Sequence, residues 1–424
     1  MSERHVYDAL IIGGGPAGAT AAANLAMKGR RVAVLEKETF PRYHVGESMI
    51  PYCWFPLDRI GMTDKLRDAG FQKKYSVQFA STSGRISKPF YFFEHMDHEA
   101  AQTWQVDRAR FDRLMLDNAL EKGAAVFEGM KARDPIMDNG AVRGVRATDV
   151  NGGVHTFEAP VTIDASGRNG FFMTRNGWRM ADDRLRKVAI WSYFKGAKRD
   201  SGYDEGATTV AYIPEKGWFW YIPMADDLVS VGVVAEKDYL YRDGREPGTI
   251  FFREAAENAW ITDHLDGAEP VREFQVTGDY SYRSRFSAAD GLVLTGDAFA
   301  FLDPVFSTGL FLAFMGGELA AEAVDQALER GDTTAARFEH YSERIRASLE
   351  AMRRLVYAFY DDGFNFGDLF KKYPDLSGDV TDCLIGNVDR DFSELFTAIA
   401  EFADVPEPLA HGAPFRGEDA TATA

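Results

Sequence analysis

Near its start the chain has a short run at residues 7–12, apolar but for Asp8, which predicts a strand buried on both faces, as in a parallel sheet. Glycines at 13, 15 and 18 follow at once, then a helical stretch over 19–28 and a second strand at 31–35, apolar after Arg31, that ends at Glu36. This order of strand, glycine turn, helix and strand is the pattern of a βαβ unit. Two later runs also pass from strand into glycine: Val161-Thr-Ile-Asp164-Ala-Ser-Gly167 and Gly291-Leu-Val-Leu-Thr-Gly296-Asp297-Ala298. From about 185 to 285 the texture changes to alternating β-branched and aromatic residues, at 188–194, 208–213, 218–222, 229–234 and 274–282, which predicts an antiparallel sheet. Residues 308–360 are predicted to be mainly helical, and the aromatic-rich stretch from Tyr357 to Phe370 opens a C-terminal helical region. After Phe402 the chain turns to Pro, Gly, Ala and Thr, which predicts a frayed tail.

The division that follows is 1–175 for the first part of an α/β nucleotide domain and 176–285 for an antiparallel substrate domain. Residues 286–345 return to the nucleotide domain, and 346–424 form the helical region with its tail. With 424 residues, 46% of them hydrophobic, the chain is long enough for a large core. No run approaches the roughly 18 uncharged apolar residues of a membrane span, and the start lacks an apolar signal region, so the expected location is the cytoplasm. Cys53 and Cys383 are too few for a disulfide framework and lack metal-ligand spacing, so no metal is expected. The net charge of −17 argues against a nucleic-acid partner, since phosphates reward basic surfaces.

The glycine spacing carries chemistry. Gly13 permits a tight turn, Gly15 lets backbone approach a pyrophosphate, and Gly18 lets helix and strand pack closely. Ala17 lies inside the same turn, where the helix N-terminus offers free N–H groups to phosphate. Glu36, 18 residues after Gly18, is placed to bind a ribose diol, with Lys37 beside it. A glycine turn alone is common; with strand, helix and terminal acid in place it predicts a bound dinucleotide.

With Asp297 at the end of a later strand, where it can meet a ribityl chain, the set resembles the FAD-binding, Rossmann-like fold of the aromatic-hydroxylase (GR2) superfamily. The resemblance implies that Arg108, at the start of the helix that runs through Leu120, contacts the cofactor. Two further motifs narrow the chemistry. Trp218-Phe219-Trp220-Tyr221-Ile222-Pro223 places two indoles on one face of a strand, an arrangement that by itself is most often ordinary core. It matches every fixed position of W-x-W-x-I-P, and residues 71–79 match F-x-x-K-x-x-x-x-F with Lys74 at the fixed lysine. Together these resemble the flavin-dependent halogenases.

That resemblance implies FAD, delivered as FADH2 by a separate flavin reductase, which reacts with O2 to oxidise chloride or bromide to hypohalous acid. Trp218 and Trp220 would keep the organic substrate from the flavin, and Lys74 would deliver the halogen. Asp303-Pro304-Val305-Phe306-Ser307-Thr308-Gly309 precedes a helical run, and its N–H groups would favour an anion. The resemblance makes Ser307, Thr308 and Gly309 the halide site and puts Pro304 and Gly309 against the flavin; a plain helix cap by Ser307 is the structural alternative. Arg42, Gly46, Glu47 and Ser48 match a family segment near the flavin. Phe306 stands where halogenases of free tryptophan have Glu, so free tryptophan is not the expected substrate. The chain's size and the sequences of residues 40–48 and 70–75 resemble halogenases of carrier-protein-tethered substrates, which implies a pyrrolyl group on a peptidyl carrier protein, with Arg353-Arg354 and Lys371-Lys372 as candidate docking cations. A free phenolic substrate and a flavin monooxygenase activity are the alternatives.

Overall fold

The computed structural model describes residues 3–409 apart from Lys216 and Asp279. The predicted βαβ unit lies at the centre of a six-stranded sheet. Its order is Ala288–Ala289, Leu292–Leu294, Val161–Asp164, Ala9–Ile12, Val32–Leu35 and Ala125–Phe127. All these pairings are parallel except that of the edge strand Ala288–Ala289. Ala9–Ile12 and Val32–Leu35 are buried at every position, which is why their sequences show no alternation. The helix Pro16–Met27 packs on Gly309–Arg330, and small residues make the approach possible. A Cβ added to Gly317 would sit 2.4 Å from the carbonyl oxygen of Ala17. The return segment is thus clamped to the first glycine turn.

The second sheet has eight strands. Its path is Glu269–Pro270, Lys187–Lys195, Val229–Glu236, Trp218–Pro223, Thr208–Tyr212, Ser76–Ala80 and Phe90–Tyr91, with Gln275–Gly278 also pairing to Lys187–Lys195. Ser76–Ala80 joins in parallel with Thr208–Tyr212, so the 1–175 block is not one unit. A short strand's partner across more than 120 residues leaves no local trace, because the choice is made by packing. The predicted run 274–282 is likewise split: Gln275–Gly278 belongs to the large sheet, while Tyr282–Ser284 pairs with Arg179–Ala181 and Ala300–Phe301.

Both faces of the Trp218–Pro223 strand are covered. Trp218, Trp220 and Ile222 face the main core, whereas Phe219 and Tyr221 pack with Phe251, Trp260 and Ile261. Those last three come from the helices Pro247–Ala255 and Ala259–His264, which interrupt the region predicted as sheet. The helix Glu339–Tyr360 runs across the predicted boundary at 345/346 and leads into Phe366–Lys372, Ser377–Ile385 and Ser393–Ile399. The frayed tail predicted beyond Phe402 lies mostly outside the described residues. Among those described, no helix is long and apolar enough to cross a membrane.

Candidate active site

A cavity of about 620 Å³ runs from the glycine turn to the tryptophan strand. At its dinucleotide end it is lined by Gly13, Gly15, Ala17, Glu36, Lys37 and Arg42. Gly13 has φ +103°, and a Cβ there would meet the Ala165 carbonyl oxygen at 2.3 Å. Gly18 does not line the cavity; a Cβ on it would lie 1.9 Å from the Gly13 oxygen, so its role is the predicted packing. Above Gly15 the nearest atom is Arg42 Nη2 at 3.5 Å, which leaves room for a phosphate. Glu36 is buried and accepts from the Gly14 and Glu38 N–H groups at 2.7 and 2.9 Å, so its carboxylate is fixed at the end of the strand. These residues fit an adenine dinucleotide.

Arg108 lines the cavity, but its guanidinium is heavily committed within the protein. It donates to Asp112 at 2.8 and 3.0 Å and to the Val45 and Gly46 carbonyls at 2.9 and 3.1 Å. The expected cofactor contact is thereby refined: Arg108 first holds the loop that carries Arg42, Gly46, Glu47 and Ser48. Burial would raise the Asp112 carboxyl, yet Arg108 and Arg42 beside it hold it below the usual carboxylate range. The positive charge of Arg108, helped by burial, drives His44 down to about 4, which leaves it neutral. From the other side, Tyr193 donates to Glu47 at 2.5 Å and Trp191 to the Tyr43 hydroxyl at 2.8 Å. The loop is therefore tied to the helix Arg108–Glu121 on one side and to the eight-stranded sheet on the other. Asp297 also lines the cavity, and burial pushes its carboxyl up to about 6.

At the far end lie Pro304, Ser307, Thr308 and Gly309. The expected alternative of a Ser307 cap does not hold. Ser307 sits in the left-handed region with φ 55°, Thr308 is the N-cap residue, and no side chain caps the helix. A left-handed serine costs about 1 kcal/mol, and strain of this kind is characteristic of ligand turns. Nor does an acidic side chain occupy the first turn of this 22-residue helix, so its positive end faces the cavity unneutralised.

Trp218 and Trp220 line the same space with ring centroids 6.2 Å apart, and Trp191 extends the wall with its centroid 6.2 Å from that of Trp220. Sequence reading missed Trp191. The available signal was Gly232, which the register places opposite both rings; a Cβ there would meet Trp220 at 2.2 Å and Trp191 at 2.6 Å. Also missed was the mooring of Trp218. Its indole N–H donates to the Tyr360 hydroxyl at 2.8 Å, which in turn reaches both Asp303 oxygens at 3.1 Å. Asp303 also accepts from Val305 N–H at 2.9 Å, so one carboxylate braces both the anion turn and the wall. Burial pushes that carboxyl up to about 6. The Tyr280 hydroxyl, buried at the same end, has no protein partner among the described residues and is free to meet a ligand.

Lys74 ends the strand Gln72–Lys74, whose alternation leaves Lys73 exposed and Lys74 at 0% exposure. Its Nζ donates to Ser48 Oγ at 2.8 Å and to the Met49 carbonyl at 3.1 Å, and lies 5.5 Å from the centre of the Phe92 ring. Burial pushes the amine down to about 7. Lys74 itself does not line the cavity; Ser48 and Thr208 do.

The glycine turn, the indole strand and Lys74 all fall within the residues, 8–100 and 80–368, that match the tryptophan halogenase family model. The chain belongs to that family. It is a flavin-dependent halogenase, an oxidoreductase. It is 32% identical to a 1H-pyrrole-2-carbonyl-[peptidyl-carrier protein] chlorinase of Pseudomonas fluorescens, over 91% of this chain and 90% of that one. A brominase of the same printed substrate, from Pseudoalteromonas luteoviolacea, is also 32% identical, over 91% and 93% of the two chains. Among solved structures, the flavin-dependent brominase Bmp2 superposes with a TM-score of 0.84 at 30% identity, covering 94% of this chain and 97% of its own.

The predicted docking cations fare differently from the halogenase motifs. Arg353 is buried and paired with Glu350, so it offers no charge to a partner. Arg354 stacks over Phe396 at 4.1 Å, and Lys371 and Lys372 are paired with Asp368 and Glu401.

Proposed function

We propose that this halogenase acts on a pyrrolyl group carried by a peptidyl carrier protein, with Lys74 delivering the halogen. The observation that carries the reading is the buried lysine of depressed basicity, joined through Ser48 to a cavity walled by Trp218 and Trp220. When bound, reduced FAD supplies, with dioxygen, the two-electron oxidising power that turns chloride or bromide into hypohalous acid. Gly13, Gly15, Ala17, Glu36, Lys37 and Arg42 would hold its nucleotide half on a turn that Gly18 lets pack closely, and Gly46, Glu47, Arg108, Asp297 and Pro304 would border the flavin half. The Thr308 and Gly309 N–H groups, at an uncapped helix end, would seat the halide beside Ser307.

The indole wall excludes a large ring from the oxidised centre yet passes a small neutral oxidant. Lys74 holds that oxidant and turns its electrophilic halogen toward the substrate ring. There the halogen–oxygen bond breaks, a carbon–halogen bond replaces a carbon–hydrogen bond, and the hydroxide and the ring proton leave as water. A pyrrole is electron-rich enough to need no acid at position 306, in keeping with the buried Phe306 stacked edge-on against Phe359. The two carrier-protein relatives support the tethered substrate. Because the chain shows no second glycine fingerprint, the reduced flavin is assigned to a separate reductase.

The test supplies FADH2, O2 and chloride or bromide with pyrrolyl-carrier protein, free pyrrole-2-carboxylate or a simple phenol, and reads product mass. Halogenated pyrrolyl-carrier protein is the expected product. Turnover of the free acid or the phenol alone would overturn the tethered substrate, and hydroxylation without halogen would overturn the mechanism.

A further inference from the structure

Lys74 lies behind the flavin cavity, so something must join its amine to the oxidant. The hydrogen bonds around it can be counted donor by donor. The Met49 carbonyl can only accept, so it commits one Lys74 N–H. Ser48 is the other partner, 2.8 Å away, and the only one with a proton of its own.

Beyond Ser48 the next hydroxyl is anchored from the far side. Gln105 is fully buried, and its Nε2 lies 3.0 Å from the Gly206 carbonyl and 2.8 Å from Thr208 Oγ1. The carbonyl can only accept, which sets the amide orientation, so Gln105 also donates to Thr208. Thr208 Oγ1 keeps one lone pair and its own proton, and lies 2.9 Å from Ser48 Oγ. Ser48 can therefore take a proton from Lys74 while passing its own to Thr208 or into the cavity that both hydroxyls line. The path is neutral at each end of a transfer and needs no carboxylate. Among the described residues the titratable group acting on Lys74 is Cys53, whose thiol burial pushes up to about 12 and so keeps neutral.

Resting on the halogenase reading above, we propose that Ser48 is a positioning residue that relays protons between the Lys74 amine and the flavin cavity, with Thr208, itself held by Gln105, as the next hydroxyl. The hydroxyl does two things. It aims the amine toward the cavity, and it stabilises the ammonium form by accepting from it.

The test uses the full chain without flavin as well as the working enzyme. Carbon-13 lysine NMR follows the titration of Lys74, assigned by its loss in Lys74→Met. Ser48→Ala removes an acceptor from the charged form, so the Lys74 pKa should fall by about one pH unit. The pH profile of halogenation should move in the same direction, with a roughly tenfold loss of rate. Ser48→Thr, which keeps the hydroxyl, should restore both. An unchanged titration and pH profile in Ser48→Ala would overturn the relay, as would equal shifts in Ser48→Ala and Ser48→Thr. Normal halogenation by Lys74→Met would instead overturn the lysine assignment, whatever Ser48→Ala does.

Discussion

At its dinucleotide end the cavity is made chiefly of backbone, drawn largely from residues 9–36. Gly13 and Gly18 approach carbonyl oxygens so closely that a methyl group would sit 2.3 and 1.9 Å from them. Toward the lysine the cavity is backed by a network of side chains brought from segments around 48, 74, 105, 208, 218, 303 and 360, of which Ser48, Thr208, Trp218 and Asp303 line it. The difference teaches which changes each end can bear. A backbone site fails when volume is added, whatever the chemistry of the added group. A side-chain site keeps its shape when single atoms are removed, and loses instead its hydrogen bonding.

The largest effect expected from this contrast is at Gly18. Gly18→Val should abolish FAD binding or weaken it more than a hundredfold, read by flavin fluorescence, because its Cβ collides with backbone that cannot move aside. Near-normal FAD affinity in that variant would break the comparison.

Tyr360→Phe comes next. It removes a hydroxyl that bridges Trp218 and Asp303, leaving the volume almost unchanged. Losing such a bridge costs about 1–2 kcal/mol, so halogenation should fall roughly tenfold while FAD affinity stays within about twofold. Equal losses in both would mean that the two ends are not separately built.

The smallest effect is a melting difference that depends on pH. The Lys74 amine ordinarily titrates at 10.5 and is pushed down to about 7 in the fold. Between those values the unfolded chain binds more protons than the folded one, so stability rises with pH across that window. Lys74→Met lacks this term. It should melt above the wild type at pH 6, with an advantage that shrinks as pH rises toward 10. A constant offset would contradict the buried, depressed amine.

The contrast also explains what could be read from the sequence. The glycine turn, Glu36 and the two indoles of Trp218–Pro223 lie in contiguous segments where spacing dictates geometry. Lys74 was separable from Lys73 by its motif, and strand alternation agrees. Arg108 lines the cavity, but its commitment to Asp112 and the Val45 and Gly46 carbonyls depends on how a loop 62–63 residues away folds over it. Tyr360 and Asp303 reach Trp218 only through tertiary packing, 142 residues apart in the case of Trp218 and Tyr360. Ser76–Ala80 reads locally as any short strand, and its parallel partner 131 positions on is chosen by the core.

The most direct test compares wild type with Lys74→Met in the presence of FADH2, O2, bromide and pyrrolyl-carrier protein, and reads the intact mass of the carrier. The wild type should exchange hydrogen for halogen on the tethered ring, and Lys74→Met should lose more than about a hundredfold of that product while still binding FAD. Undiminished halogenation by Lys74→Met would contradict the account.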